Sequence, residues 1–250
     1  MSGEAPPVAF DRTLVQKHLA RAAANPEASK ALFDDTAAQL AERLSEMKTP
    51  FRQALDLSPF PFLAERPETT FRVKTVKDPE EDADLLAPES ADLIVSNLGL
   101  HWTNDLPGVL ARCRAALKPG GLFLAALIGG ESLHELRACL MDADLAVTQG
   151  ASPRVSPMID LRTAGDLLKR AGLSLPVADI ETVTLLYPDL FALMRDLRSM
   201  GQTNARTDRL RRPTRRAVFD TAAALYRDRY GDDEGLIRAT FDIVYLHGWR

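Results

Sequence analysis

Two apolar runs with a helical segment between them constrain the fold of this chain most. Ala91-Asp92-Leu93-Ile94-Val95-Ser96-Asn97-Leu98 is a largely apolar run that ends in small polar residues, and Leu122 to Ile128 is a second. Runs of this kind, without alternation, are what strands of a parallel sheet buried on both faces look like. Between them Asp105 to Leu117 has the composition of a helix. Lys118-Pro119-Gly120-Gly121 ends it, because proline cannot continue a helix and glycine tolerates a left-handed turn. Strand, helix, Pro-Gly-Gly turn and strand make a right-handed crossover unit, so the expected class is α/β with a doubly wound, mostly parallel sheet.

The rest of the chain fits around that unit. Helices are expected from Phe10 to about Ala24 and from Pro26 to about Met47, the second with Leu32, Phe33, Ala37, Leu40 and Leu44 on one face. These form an N-terminal helical segment, residues 1–50, ahead of a domain over residues 51–250. Gln53-Ala54-Leu55-Asp56-Leu57 is a short strand closed by Ser58-Pro59, where serine can cap a helix that opens on proline. Phe71 to Val76 alternates as a strand does, and Lys77 to Glu89 is an acidic connector. Helices follow at Glu131 to about Val147, Asp160 to Ala171, Leu190 to Met200 and Arg215 to Tyr230, with strands at Ile180 to Tyr187 and Ala239 to Leu246.

Charge and composition exclude several functions. A net charge of -4 supplies no global attraction for nucleic acid or an anionic membrane. No uninterrupted apolar stretch is long enough to span a bilayer. Cys113 and Cys139 lack metal or disulfide spacing and are expected to be buried, reduced thiols. The N-terminal stretch has no apolar core for a secretory signal and carries Glu4 where a mitochondrial presequence would carry arginines, so the expected address is the bacterial cytoplasm. Arg206, Arg209, Arg211, Arg212, Arg215 and Arg216 are the strong local charge excess, a surface suited to an acidic protein partner or a solvated loop. With no aromatics interleaved, nucleic acid is not the expected ligand.

Asp92 to Trp102, Asn104-Asp105-Leu106-Pro107 and Leu117-Lys118-Pro119-Gly120-Gly121 resemble the fourth-to-fifth-strand core of class I methyltransferases, a Rossmann-like fold. Gly129-Gly130-Glu131-Ser132-Leu133-His134-Glu135-Leu136-Arg137, Ser152 to Pro157, and Leu193 to Gly201 with Asn204 are similar to a narrower group. That group contains the methyltransferase-like assembly factor of respiratory complex I, of arginine hydroxylase type, and its bacterial relatives. A second relative is the biotin-pathway methyltransferase acting on a malonyl carrier protein. The resemblance implies S-adenosylmethionine as cofactor, with Asp56, Asn97, Leu98, His101 and Trp102 as the residues that would face it.

One part of the methyltransferase pattern is missing. Such enzymes hold the cofactor on a glycine-rich turn after the first strand, where the backbone must approach the ligand closely. Between Gly3 and Gly99 there is no glycine, and the turn after Leu57 reads Ser58-Pro59-Phe60-Pro61. Asp92 lies only 38 positions beyond Ala54, whereas three strand-helix units need about 60. The sheet is therefore expected to be shortened in its N-terminal half. Ala54 to Leu57 is either the first strand with its loop replaced or the second strand, the reading slightly preferred here. An incomplete sheet also predicts a homodimer or a partner covering the exposed edge.

Other chemistry weighs less. His101 could act as a base beside Trp102, or both could simply pack. Glu131, His134 and Arg137 would share a helix face, and Glu131, His134 and Glu135 are possible metal ligands by type, but with no second histidine nearby a metal site is not expected. The function expected is a binding or assembly factor on a methyltransferase fold with a degenerate S-adenosylmethionine site. The alternatives are an active methyltransferase or arginine hydroxylase with a remodelled site, and then an RNA-binding adaptor.

Overall fold

The computed structural model describes residues 8–25, 31–60, 63 and 71–250. Among these the chain forms seven α-helices and six strands, a mixed α/β fold. In chain order they are α1 (Arg12–Ala23), α2 (Ala31–Ser45), β1 (Gln53–Asp56), β2 (Arg72–Thr75), β3 (Ala91–Asn97), α3 (Leu106–Ala116) and β4 (Leu117–Gly129). Then come α4 (His134–Thr148), α5 (Leu161–Arg170), β5 (Ser174–Tyr187), α6 (Leu190–Ser199), α7 (Arg216–Tyr230) and β6 (Ile237–Trp249). The first residues of the second expected helix, and Pro61, Phe62 and Ala64, lie outside the described residues.

Four helices begin on an aspartate. Asp11, Asp105, Asp160 and Asp189 each accept the amide three residues on, at 3.1, 2.9, 2.8 and 2.7 Å. Each side chain satisfies one of the amides that a helix start leaves without a partner. Ser58 does not cap a helix. Its hydroxyl accepts the Asn97 amide at 2.8 Å instead, because a strand end lies within reach. α4 starts three residues later than expected, so Glu131 sits in the preceding turn and the shared helix face with His134 and Arg137 is not formed.

The chain divides into two compact units. The first holds Ala31–Gly130, Ile159–Glu181 and Ile243–Arg250; the second holds the described parts of Met1–Lys30, with Glu131–Met158 and Thr182–Asp242. The strand order is β2-β1-β3-β4-β6-β5, with β1 parallel to both β2 and β3, and β3 parallel to β4. In the doubly wound order the strand beside the fourth is the first. β1 lies between β2 and β3, so it takes the first strand's place, not the second strand's as preferred from sequence. Among the described residues no strand lies outside β2, and the sheet is short on that side.

Period-two alternation sorts the sheet of the first unit into two faces. Leu55, Ile94, Phe123, Ala125 and Leu127 join the core made with Val109, Leu110 and Cys113 of α3 and Ala164 and Leu168 of α5. Leu93, Val95, Leu122 and Leu124 point the other way and are also fully buried, on the face where α2 packs against β3 and β4. Each such side chain contributes about 1.5–3 kcal/mol. Residues 118–121, expected as a turn before the strand, lie within β4 as a bulge. Ala91 pairs with Leu117 and Leu93 with Leu122, so three extra residues are accommodated, with Gly120 at φ +76°.

In the second unit α4 packs along α7, burying Leu136, Cys139 and Ala143 with Val218, Ala222 and Tyr226. α1 packs on α6, and His18 of α1 is buried with its Nδ1 3.2 Å from the Thr203 carbonyl oxygen.

Candidate functional site

In an open α/β sheet, ligands bind beyond the carboxyl ends of the strands where the winding reverses direction. Here the chain moves outward from β1 to β2 on one side and from β3 to β4 on the other, so the switch point lies between β1 and β3. Asp56 ends β1 and Asn97 ends β3, and the fold therefore brings these two expected residues to the same crevice.

Both spend their polar groups on the chain itself. The fully buried Asp56 carboxylate accepts the backbone amides of Ser58 and Leu63, each at 2.9 Å. Asn97 is 4% exposed. Its side-chain oxygen accepts from the Thr36 hydroxyl at 2.6 Å, and its amide nitrogen donates to the Phe33 carbonyl at 2.9 Å, both on α2. Phe33 meets the Phe60 ring edge-on with centroids 4.8 Å apart, and both rings are almost fully buried. Where a glycine-rich turn would leave room, Gly99 is pressed against the exit of β1: a Cβ there would stand 2.7 Å from the Leu57 carbonyl oxygen.

Leu98 follows at φ +50°, a conformation that costs a side-chain-bearing residue about 1–2 kcal/mol. It is held by its amide donating to Ala126 at 2.9 Å and by complete burial. His101 and Trp102 lie in a short 3-10 turn just beyond, ring centroids 5.3 Å apart, with Trp102 6% exposed and His101 half-buried. Thr36, Phe33 and Gly99 were not singled out for this crevice from the sequence. The apolar face of α2 was legible, but not which strand end it would cover.

The arginine cluster divides. Arg206 is bidentate to Asp208 at 2.8 and 2.7 Å, and Arg209 reaches the Arg206 carbonyl at 2.7 Å and Asp11 at 3.3 Å. The Leu14 amide, more than Arg209, holds the Asp11 carboxyl below its usual range. Arg216 lies 3.5 Å from Asp220 one turn on, and both are exposed. Arg211, Arg212 and Arg215 are exposed.

The fold and the reversal point define a protein of the class I methyltransferase superfamily. Residues 36–123 match the family model described as a methyltransferase domain. A solved Bacillus halodurans C-125 structure assigned as a methyltransferase superposes with TM-score 0.53 at 11% identity, covering 85% of this chain and 97% of that one, and so shares the fold.

The chain is 35% identical to human arginine-hydroxylase NDUFAF5, mitochondrial, over 266 residues, covering 96% of this chain and 76% of the relative. It belongs to that family. The Dictyostelium discoideum protein of the same name is 43% identical over 171 residues, 68% of this chain and 39% of the relative. The chain spans 39% and 49% of the lengths of the Dictyostelium and Danio rerio relatives. It is also 41% identical over 164 residues to malonyl-[acyl-carrier protein] O-methyltransferase of Xylella fastidiosa, 66% of this chain and 53% of that protein.

The expected cytoplasmic address is corrected by these relatives, which are named as mitochondrial proteins. The expectation rested on the composition of the first few residues, and an address is read by a receptor from a short segment, which those residues alone do not decide. Among the described residues no helix is long and apolar enough to cross a membrane.

Proposed function

We propose that this chain is a binding or assembly factor on a methyltransferase fold, related to respiratory complex I biogenesis, whose switch-point crevice does not take S-adenosylmethionine. The observation that carries the reading is the Asn97 side chain, both ends of which are engaged by α2 inside the crevice. The edge-on Phe33 and Phe60 rings and the close approach of Gly99 to Leu57 support it. The described residues therefore do not fit the cofactor that the superfamily implies: Asp56, Asn97 and Leu98 serve as internal struts, and His101 and Trp102 flank them. Opening the crevice would mean breaking buried hydrogen bonds that cost about 1–3 kcal/mol each when left unmade.

Calorimetric titration with S-adenosylmethionine and S-adenosylhomocysteine tests this. No heat at millimolar ligand is expected; micromolar binding would overturn the reading and restore an enzyme. A second reading, arginine hydroxylation, is favoured by the name borne by relatives at 34–43% identity. It predicts one added oxygen atom on a client arginine, seen by mass spectrometry after incubation with this protein, dioxygen and a two-electron reductant.

The partner would be a protein. β2, at one edge of the sheet, is only four residues long and carries exposed Arg72 and Lys74, which blunt it against adventitious pairing. β5, at the other edge, spans fourteen residues and exposes Leu175 and Leu186, which favours a second copy or a partner strand there. Light scattering at micromolar concentration should give a dimer mass for the isolated chain; a monomer would count against the homodimer.

A further inference from the structure

The second unit contains a cavity of about 440 Å³ lined by polar and apolar residues from the C-terminal half of α4, the segment after it and the loop into the start of α7. On it, Asp144 is 2% exposed and takes Arg154 bidentately, Nε at 2.6 Å and Nη2 at 2.7 Å, while Arg154 Nη1 donates to the Thr214 hydroxyl at 2.9 Å. That pair is neutral and braced from both ends. Arg212 and Arg215 also line the cavity, are exposed, and have no carboxylate within ion-pair distance among the described residues. Three arginines, Arg154, Arg212 and Arg215, thus line the cavity with one carboxylate, Asp144, which Arg154 already takes, and the charge of Arg212 and Arg215 is uncompensated. Arg215 leads into α7, whose first turn has no side-chain cap; the Val218 amide donates to the Arg215 carbonyl at 3.0 Å, and the helix start adds partial positive charge in the same place.

We infer that this cavity is a carboxylate-binding site for an acidic segment of a protein partner, with Arg212 and Arg215 as the recognition pair. The volume suits a side chain entering from a peptide, since ligand pockets begin at about 300 Å³. Guanidinium forks match carboxylates in a planar, two-bond geometry. Among the described residues no aromatic side chain lines the cavity, so it lacks the stacking platforms that single-stranded nucleic acid uses. The inference draws on the proposed partner-binding role only in taking the ligand to be a peptide. The S-adenosylmethionine titration probes the other unit, so either idea can fail without the other.

Fluorescence anisotropy with a labelled oligoglutamate peptide, at low and at physiological salt, tests the site. Saturable binding is expected. R212E/R215E should weaken it about tenfold or more, the loss of a charge-assisted pair. R212K/R215K should weaken it several-fold while keeping the charge. Arg211→Glu, exposed in the same loop but outside the cavity lining, should change it less than about twofold, as a screened rim charge does. Circular dichroism confirms that each variant is folded. The inference is overturned if wild type shows no saturable binding, if Arg211→Glu matches the double reversal, or if an oligoadenylate RNA of equal length binds more tightly through the same two arginines.

Discussion

The Thr36 hydroxyl donates to the Asn97 side-chain oxygen across 2.6 Å, tying α2 to the end of β3 at the point where the sheet reverses its winding. Thr36 is completely buried and Asn97 nearly so. Thr36→Val keeps the shape and leaves that oxygen without its donor. A loss of about 1–3 kcal/mol in urea-induced unfolding is expected. If Thr36→Val unfolds at the same midpoint as wild type, the contact is not a strut and the case for a closed crevice weakens.

The Asp144 and Arg154 pair should be costly to break from either side. With side chains 2% and 14% exposed, removing one partner strands a buried charge. Arg154→Ala and Asp144→Ala are each expected to lose about 3–5 kcal/mol, and the double variant less than the sum. Equilibrium denaturation of the three variants measures the coupling directly.

Stability should fall in mild acid. Burial, and then the nearby Arg21 charge, hold His18 below its ordinary value of 6.5; burial does the same to His247. The unfolded chain therefore binds these protons at a higher pH than the folded one. The stability they contribute is full above about pH 6.5 and is lost as pH falls toward the folded values. The thermal midpoint should drop between about pH 7.5 and about pH 5. Replacing both histidines by glutamine should flatten that part of the profile; an unchanged slope would show that carboxylates control it.

Neither cysteine should react in the native protein. Burial pushes the Cys113 thiol up to about 12 and the Cys139 thiol up to about 11. The thiolate is the reactive form and is scarce for both near pH 8. An aromatic disulfide reagent should release no signal from the folded chain and two equivalents in denaturant, one for each cysteine in the sequence. Fast labelling of one thiol in native buffer would mean that its helix opens readily.

Local chemistry by itself determined a good deal of this protein. Helices were legible from Asp105, Asp160 and Leu190, the runs ending at Leu98 and Ile128 mark buried strands, and the glycine-free stretch before Gly99 leaves no glycine-rich turn there; each depends only on neighbours in the chain. Tertiary structure decided the rest. Ala54 to Leu57 could have been the first or the second strand, because strand position is set by pairing across the sheet and leaves no trace in four residues. Asp56 and Asn97 could be named as residues of the crevice, but whether they faced a ligand depended on Thr36 and Phe33, 61 and 64 positions from Asn97. The six arginines were visible as a cluster, yet only the fold separated Arg206 and Arg209, paired with Asp208 and Asp11, from Arg212 and Arg215 at the cavity rim. Charge is written in the sequence; the partner that neutralises it comes from whatever part of the chain the fold brings within hydrogen-bond reach.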